Sequence, residues 1–162
     1  MPDGLPPKGP DYDDDFYAWT QHQAAVLREM PIADNRFDRE HVAEEIEDLG
    51  KNVRNAVRSQ VRRIVEHFLK LQYSPAREPR ADWMASIVDA RTTLEDDLTA
   101  TLRADATSEL SRLYRATRKQ AGLGLERYSE HGATDFMPSE CPYTLDEVLK
   151  DDWYPEPVQE TP

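Results

Sequence analysis

The sequence predicts an all-α protein, an antiparallel helical bundle of four main helices with one long central helix and a short C-terminal helix. Two observations carry this reading. Residues 38–74 contain no proline, and their apolar positions recur at steps of three and four. Around that stretch lie further segments of helical period, separated by prolines and glycines, and no alternating strand pattern or internal repeat.

The first helix is expected to begin at Asp13-Asp14-Asp15, which supplies an N-cap and carboxylates suited to a helix N-terminus. Phe16, Trp19, Gln23, Val26, Leu27 and Met30 follow on one face, and Pro31 ends it. The second is expected from Asp38 as N-cap, with a stripe through Val42, Ile46, Leu49, Val53, Val57, Val61, Ile64, Phe68 and Leu71. Its consecutive four-residue steps break a strict heptad, which excludes a long regular coiled coil. Some 35 residues of helix would extend roughly 50 Å. That exceeds a compact chain of this size, so the helix overhangs or bends, and Gly50 is the natural place for a bend. Pro75 and Pro79 mark a break. A third helix is expected from about Asp82 to Arg103, with Trp83, Ile87, Val88, Leu94, Leu98 and Leu102 inward. A fourth is expected from about Ser108 to Ala121, with Leu110, Leu113, Tyr114 and Thr117 inward and Gly122 and Gly124 as terminators. Thr144-Leu145-Asp146-Glu147 has the form of a capping box and predicts a short helix to about Lys150.

The 162 residues suit one domain. Residues 1–11, with four of the twelve prolines, read as a flexible arm, residues 12–155 as a single helical domain, and 156–162 as a flexible tail. A net charge of −12 and a pI near 4.7 oppose non-specific association with nucleic acid or anionic membranes and favour solubility or a basic partner. One cysteine, Cys141, excludes an intramolecular disulfide. The N-terminus has no signal-peptide pattern, and no apolar run approaches the roughly 20 residues that span a bilayer. A cytoplasmic protein is expected.

Four stretches carry a resemblance: Tyr12 to Arg28 (YDDDFYAWTQHQAAVLR), Val42 to Gly50 (VAEEIEDLG), His67 to Pro75 (HFLKLQYSP) and Met137 to Pro155 (MPSECPYTLDEVLKDDWYP). Together they closely resemble the domain-of-unknown-function family twenty-nine, short bacterial proteins, over about Asp11 to Pro155. Leu71 stands where the family pattern has Trp, a change within the core. The resemblance implies an all-helical fold and brings no activity, ligand, cofactor or catalytic residue.

Candidate chemistry is sparse. His41, Glu44, Glu45 and Asp48 share one helical surface, the residue types of a divalent-metal site, but without the paired Glu-x-x-His order of di-iron bundles. A solvated acidic helix start, which also complements the helix dipole, is the commoner explanation. Arg54, Arg58 and Arg62 form a ridge that could meet phosphates, although carboxylates on neighbouring helices are the commoner partners. Cys141, near the start of the predicted short helix, is a candidate nucleophile with no histidine placed beside it by the sequence. The aromatics Phe16, Tyr17, Trp19, Tyr73, Trp83, Tyr143, Trp153 and Tyr154 read as anchors for a helical core. Finally, residues 38–49 carry six acids and one base, and residues 51–71 six bases and one acid. Two antiparallel copies would set Glu44 and Glu47 against Arg54, Arg58 and Arg62, a possible homodimer. The same gradient also fits the helix's own dipole and neighbours within one chain. The function expected is a non-enzymatic interaction or adaptor protein, or an acidic antidote to a basic partner. The alternative is a metal-dependent or cysteine enzyme. No cofactor is expected.

Overall fold

The structure, a computed structural model, describes residues 6–126 and 133–158. They contain six helices and no strand: α1 (Phe16–Glu29), α2 (Arg39–Tyr73), α3 (Arg80–Asp97), α4 (Ala100–Glu126), α5 (Ala133–Phe136) and α6 (Leu145–Leu149). The all-α expectation holds, and no described helix is long and apolar enough to cross a membrane.

Helix starts follow the predicted chemistry. The Asp15 carboxylate accepts from the Ala18 N–H at 2.9 Å, and Asp38 accepts from the His41 N–H at 3.3 Å. Thr144 accepts from the Glu147 N–H at 3.2 Å, while the Glu147 carboxylate accepts from the Thr144 N–H at 2.8 Å, closing the capping box. One boundary differs. The third helix does not reach Arg103 but ends at Asp97, where Leu98 turns extended. Thr99 then accepts from the Leu102 N–H at 3.3 Å and opens α4 eight residues before the expected Ser108. A threonine cap without glycine or proline makes this break. Gly122 and Gly124 do not terminate α4, which runs through both to Glu126. A Cβ on Gly122 would lie 1.7 Å from the Thr134 hydroxyl, so the missing side chain makes room for the chain that follows.

Packing divides the chain into two groups, Met1–Ala56 with Thr99–Leu102, and Val57–Leu98 with Arg103–Pro162. In the first, α1 runs antiparallel to the front of α2. The Gln21 amide donates to the Glu47 carbonyl at 3.0 Å, and Arg28 reaches Glu47 at 2.8 Å and Glu40 at 3.0 Å. Between these contacts only small groups are buried: Thr20, Ala24, Ala43 and Gly50. A Cβ on Gly50 would stand 2.0 Å from the Thr20 Oγ1, so Gly50 is where the two helices approach closely.

In the second group the rear of α2, α3 and α4 form an up-down-up trio. Arg63 meets Ser86 and Asp89 on the antiparallel α3, and Arg58 meets Asp105 on the parallel α4. Large side chains fill the space among them, including Ile64, Phe68, Ile87, Leu94 and Tyr114. Val88, expected inward, is exposed, because α3 turns Trp83, Ile87, Ala90 and Leu94 to the core instead. The segment from Cys141 to Val158, including α6, straps across this trio. Tyr143 and Trp153 pack edge-on to Phe68 at 5.3 and 5.2 Å between ring centroids. The Val158 N–H donates to the Gln72 carbonyl at 2.8 Å. Residues 1–5 and 159–162 of the expected arm and tail lie outside the described residues.

Candidate functional site

Most sequence-singled residues sit on α2, and the structure sends its two halves to different work. In the acidic half, His41 turns to Asp38, with Nδ1 and Oδ2 2.6 Å apart. That hydrogen bond holds the imidazole pKa above its ordinary value and the Asp38 pKa below. Glu44 and Glu45 point to solvent, and Asp48 pairs with Lys51 at 2.9 Å. Helical spacing places these four on one surface, yet among the described residues no three His, Cys, Asp or Glu side chains gather to hold a metal.

In the basic half the cations are engaged inside the chain. Arg58 forks onto Asp105 at 2.6 and 2.8 Å. Arg62 donates to Gln120 at 3.2 Å, and the Arg54 guanidinium stands 5.9 Å from the Tyr17 ring centroid. Glu47 is held by Arg28 and Lys51. Four of the five residues expected across a two-fold interface, Glu47, Arg54, Arg58 and Arg62, thus have partners in their own chain, and Glu44 and Arg62 are exposed.

Cys141 is half-buried, and its thiol donates to the Tyr143 carbonyl at 3.4 Å. Burial raises its pKa, favouring the protonated form over a nucleophilic thiolate. Nearby Tyr114 is pushed up to about 12 by burial and donates to the Pro138 carbonyl at 2.6 Å. Tyr143 is raised further by the same desolvation and donates to the Gln72 side-chain carbonyl at 2.7 Å. These are satisfied structural hydroxyls.

Two arginines that sequence reasoning passed over organise the second group. Arg91, buried on α3, donates to the Val148 and Trp153 carbonyls at 2.9 Å each and to Glu147 at 3.3 Å. Its guanidinium also lies 5.5 Å from the centroids of Phe68 and Tyr154. Arg118 likewise donates to the Thr134 and Met137 carbonyls. A charged residue in register with an otherwise apolar stripe (Trp83, Ile87, Ala90, Leu94) was the signal available for Arg91. A surface depression of about 600 Å³ lies beside the end of α2, lined by Tyr73, Arg77, Arg80 and Val158. Arg80 there is committed to the Leu71 carbonyl at 2.9 Å.

Some apolar positions of α1 and α2 also remain open. Val26 and Met30 at the end of α1, and Val42 and Leu49 on α2, were read as core positions, but they are 37, 49, 37 and 55% exposed.

Comparison with known proteins places this geometry among helical proteins. Residues 12–154 match the family model described as "Domain of unknown function DUF29". The crystal structure of an alpha-helical protein of unknown function from Rhodospirillum rubrum is similar, with a TM-score of 0.75 at 25% identity, over 90% of this chain and 93% of that one. No curated protein matches.

Proposed function

The chain belongs to the DUF29 family, and from that premise we propose that it is a non-enzymatic protein–protein interaction protein, an acidic adaptor whose partner is basic. The observation that supports this is the allocation of charge. Several cations of α2 and its neighbours are spent on internal partners, as in Arg58–Asp105, Arg63–Asp89 and Arg28–Glu47. Glu44 and Glu45 are left facing water on a chain of net charge −12. A surface of one sign draws an oppositely charged partner and repels nucleic acid. A homodimer through the charge gradient of α2 would require Glu47, Arg54, Arg58 and Arg62 to exchange the partners they have, so a basic protein is the reading placed first. The Cys141 and metal alternatives gain no support from a raised thiol pKa and dispersed carboxylates.

Affinity capture with the intact chain from its native host tests the proposal. The expected result is a repeatedly recovered protein of net positive charge that is released as salt rises. Repeated recovery of nothing, at low salt and from several growth conditions, would refute it.

A further inference from the structure

The two exposed apolar lines of the first packing group lie on the same side of its helical hairpin. At about 100° per residue, Val42, Ile46, Leu49 and Val53 cluster within about 60° of one another, and the cluster is turned about 100° from the line through Ala43, Glu47, Gly50 and Arg54 that faces α1. On α1, Trp19, Gln23, Val26 and Met30 cluster similarly, turned away from the line through Thr20, Ala24 and Arg28 that faces α2. Because the helices are antiparallel, both rotations carry the clusters to one face. Ile46, Val53 and Trp19 are half-buried there, while Val26, Met30, Val42 and Leu49 remain open. The floor is therefore apolar, made by two helices that fully bury only small residues between them.

The margins are acidic. One helical step beyond Val26 and Leu49, on the outer edges, stand Glu29 on α1 and Glu45 on α2, both exposed and without an ion pair among the described residues. Arg39, on the inner side, is occupied with the Met30 carbonyl at 2.9 Å. A second copy of the chain laid on this face would set acidic margins beside acidic margins. A helix with an apolar stripe flanked by lysine or arginine would find a complementary floor and complementary edges. The span from Val42 to Val53 is about 17 Å, three turns, which matches a short amphipathic helix presenting residues at i, i+4 and i+7.

We propose that this face of the α1–α2 hairpin is a groove for a basic amphipathic helix of a partner protein, seated over Val26, Met30, Val42 and Leu49 between Glu29 and Glu45. The inference rests on the interaction reading above and assigns that interaction a surface and a partner chemistry.

The test uses the full chain and labelled peptides of about 18 residues, sized to three or more helical turns. One carries a leucine stripe flanked by lysines, the second the same composition scrambled, and the third glutamate in place of lysine. Fluorescence anisotropy should report binding of the first peptide alone. Val26→Ser with Leu49→Ser should weaken it at least tenfold with an unchanged melting midpoint, since both side chains are already exposed. Glu29→Gln with Glu45→Gln should weaken it and flatten its salt dependence. Equal binding of the scrambled peptide, or no loss in the double serine variant, would overturn the proposal. So would sedimentation showing a wild-type dimer that the serine variant converts to a monomer, because the face would then belong to a second copy. Host capture repeated with the serine variant separates the two readings. A basic partner it still recovers overturns the groove and leaves the interaction reading intact.

Discussion

Arg91→Met is expected to release the strap from Thr144 to Val158 while the helix that carries the arginine stays folded. The substitution keeps the apolar stem and removes the fork that holds three carbonyls from the same strap: Val148 and Trp153 at 2.9 Å and Glu147 at 3.3 Å. Hydrogen bonds from a charged donor contribute about 1.5–3 kcal/mol each. Burying the cation offsets part of that gain, the more so because Arg91 NH1 is buried with no hydrogen-bond partner. The net loss on the two short bonds is about 3 kcal/mol. The contacts that remain, among them Phe68 against Tyr143 and Trp153 and the bonds of Gln72 to Tyr143 and Val158, still tie the strap to α2 and do not link α2 to α3 or α4, so the loss falls on local opening of the strap rather than on global unfolding. Hydrogen exchange resolved to single residues is the assay. The amides of Val148, Trp153 and Val158 should exchange roughly a hundredfold faster, the equivalent of about 3 kcal/mol, with Ile64 and Phe68 changed far less. Arg91→Lys should show most of the same effect, because a point charge cannot span carbonyls that the planar guanidinium bridges. Exchange within threefold of wild type in the methionine variant, or a lysine variant indistinguishable from wild type, would refute the account.

Gly50→Ala should destabilise by about 1–2 kcal/mol despite alanine's better helix propensity, since the new Cβ meets the buried Thr20 Oγ1 at 2.0 Å; adding Thr20→Ala should restore most of the loss in urea titrations. His67 has its pKa lowered to about 4, by burial first and then by Lys70. The unfolded chain therefore takes up a proton near pH 6.5 that the folded chain refuses until about 4. Stability should be complete above that window and fall as pH drops through it, with a shallower slope between pH 6.5 and 5 in His67→Gln. The exposed His41 acts in the opposite sense, its raised pKa adding stability that is present below its unfolded value and lost as pH rises through the folded one. The Cys141 thiol should react with a disulfide reagent at pH 7 more slowly than an unstructured cysteine peptide and reach its rate only on unfolding; a faster native rate would contradict its raised pKa.

What the sequence made legible was periodicity and punctuation. The stripe from Val57 to Leu71 is buried as its spacing requires, and Asp15, Asp38 and Thr144 cap where their side chains permit. The front of the same stripe was misleading. Val42 and Leu49 have core spacing but face outward, because α1 packs on the neighbouring line of small residues instead. A helical stripe says that something covers it, and not that the cover lies in the same chain. The α3–α4 break was missed because Thr99 caps without a glycine or proline to announce it. Gly122 and Gly124 carried the opposite error, since a glycine required by a close neighbour looks the same in sequence as one that ends a helix. Charge was the least readable layer. The partner of Arg58 is Asp105, which folding brings alongside from a different helix, so no local spacing could announce that the middle arginine of the basic ridge is already paired.

The 35-residue α2 is one continuous hydrogen-bonded helix whose two ends are secured very differently. Its rear turns are gripped by Val57, Val61, Ile64, Phe68 and Leu71, whereas its front turns hide little beyond a methyl at Ala43 and the bare backbone of Gly50. Such a helix should fray from the Arg39 end in a graded way, its leading turns visiting coil while the trailing ones never open. Whatever seats itself on the leading turns then acts as a splint, adding protection to amides that the isolated chain leaves weakly guarded.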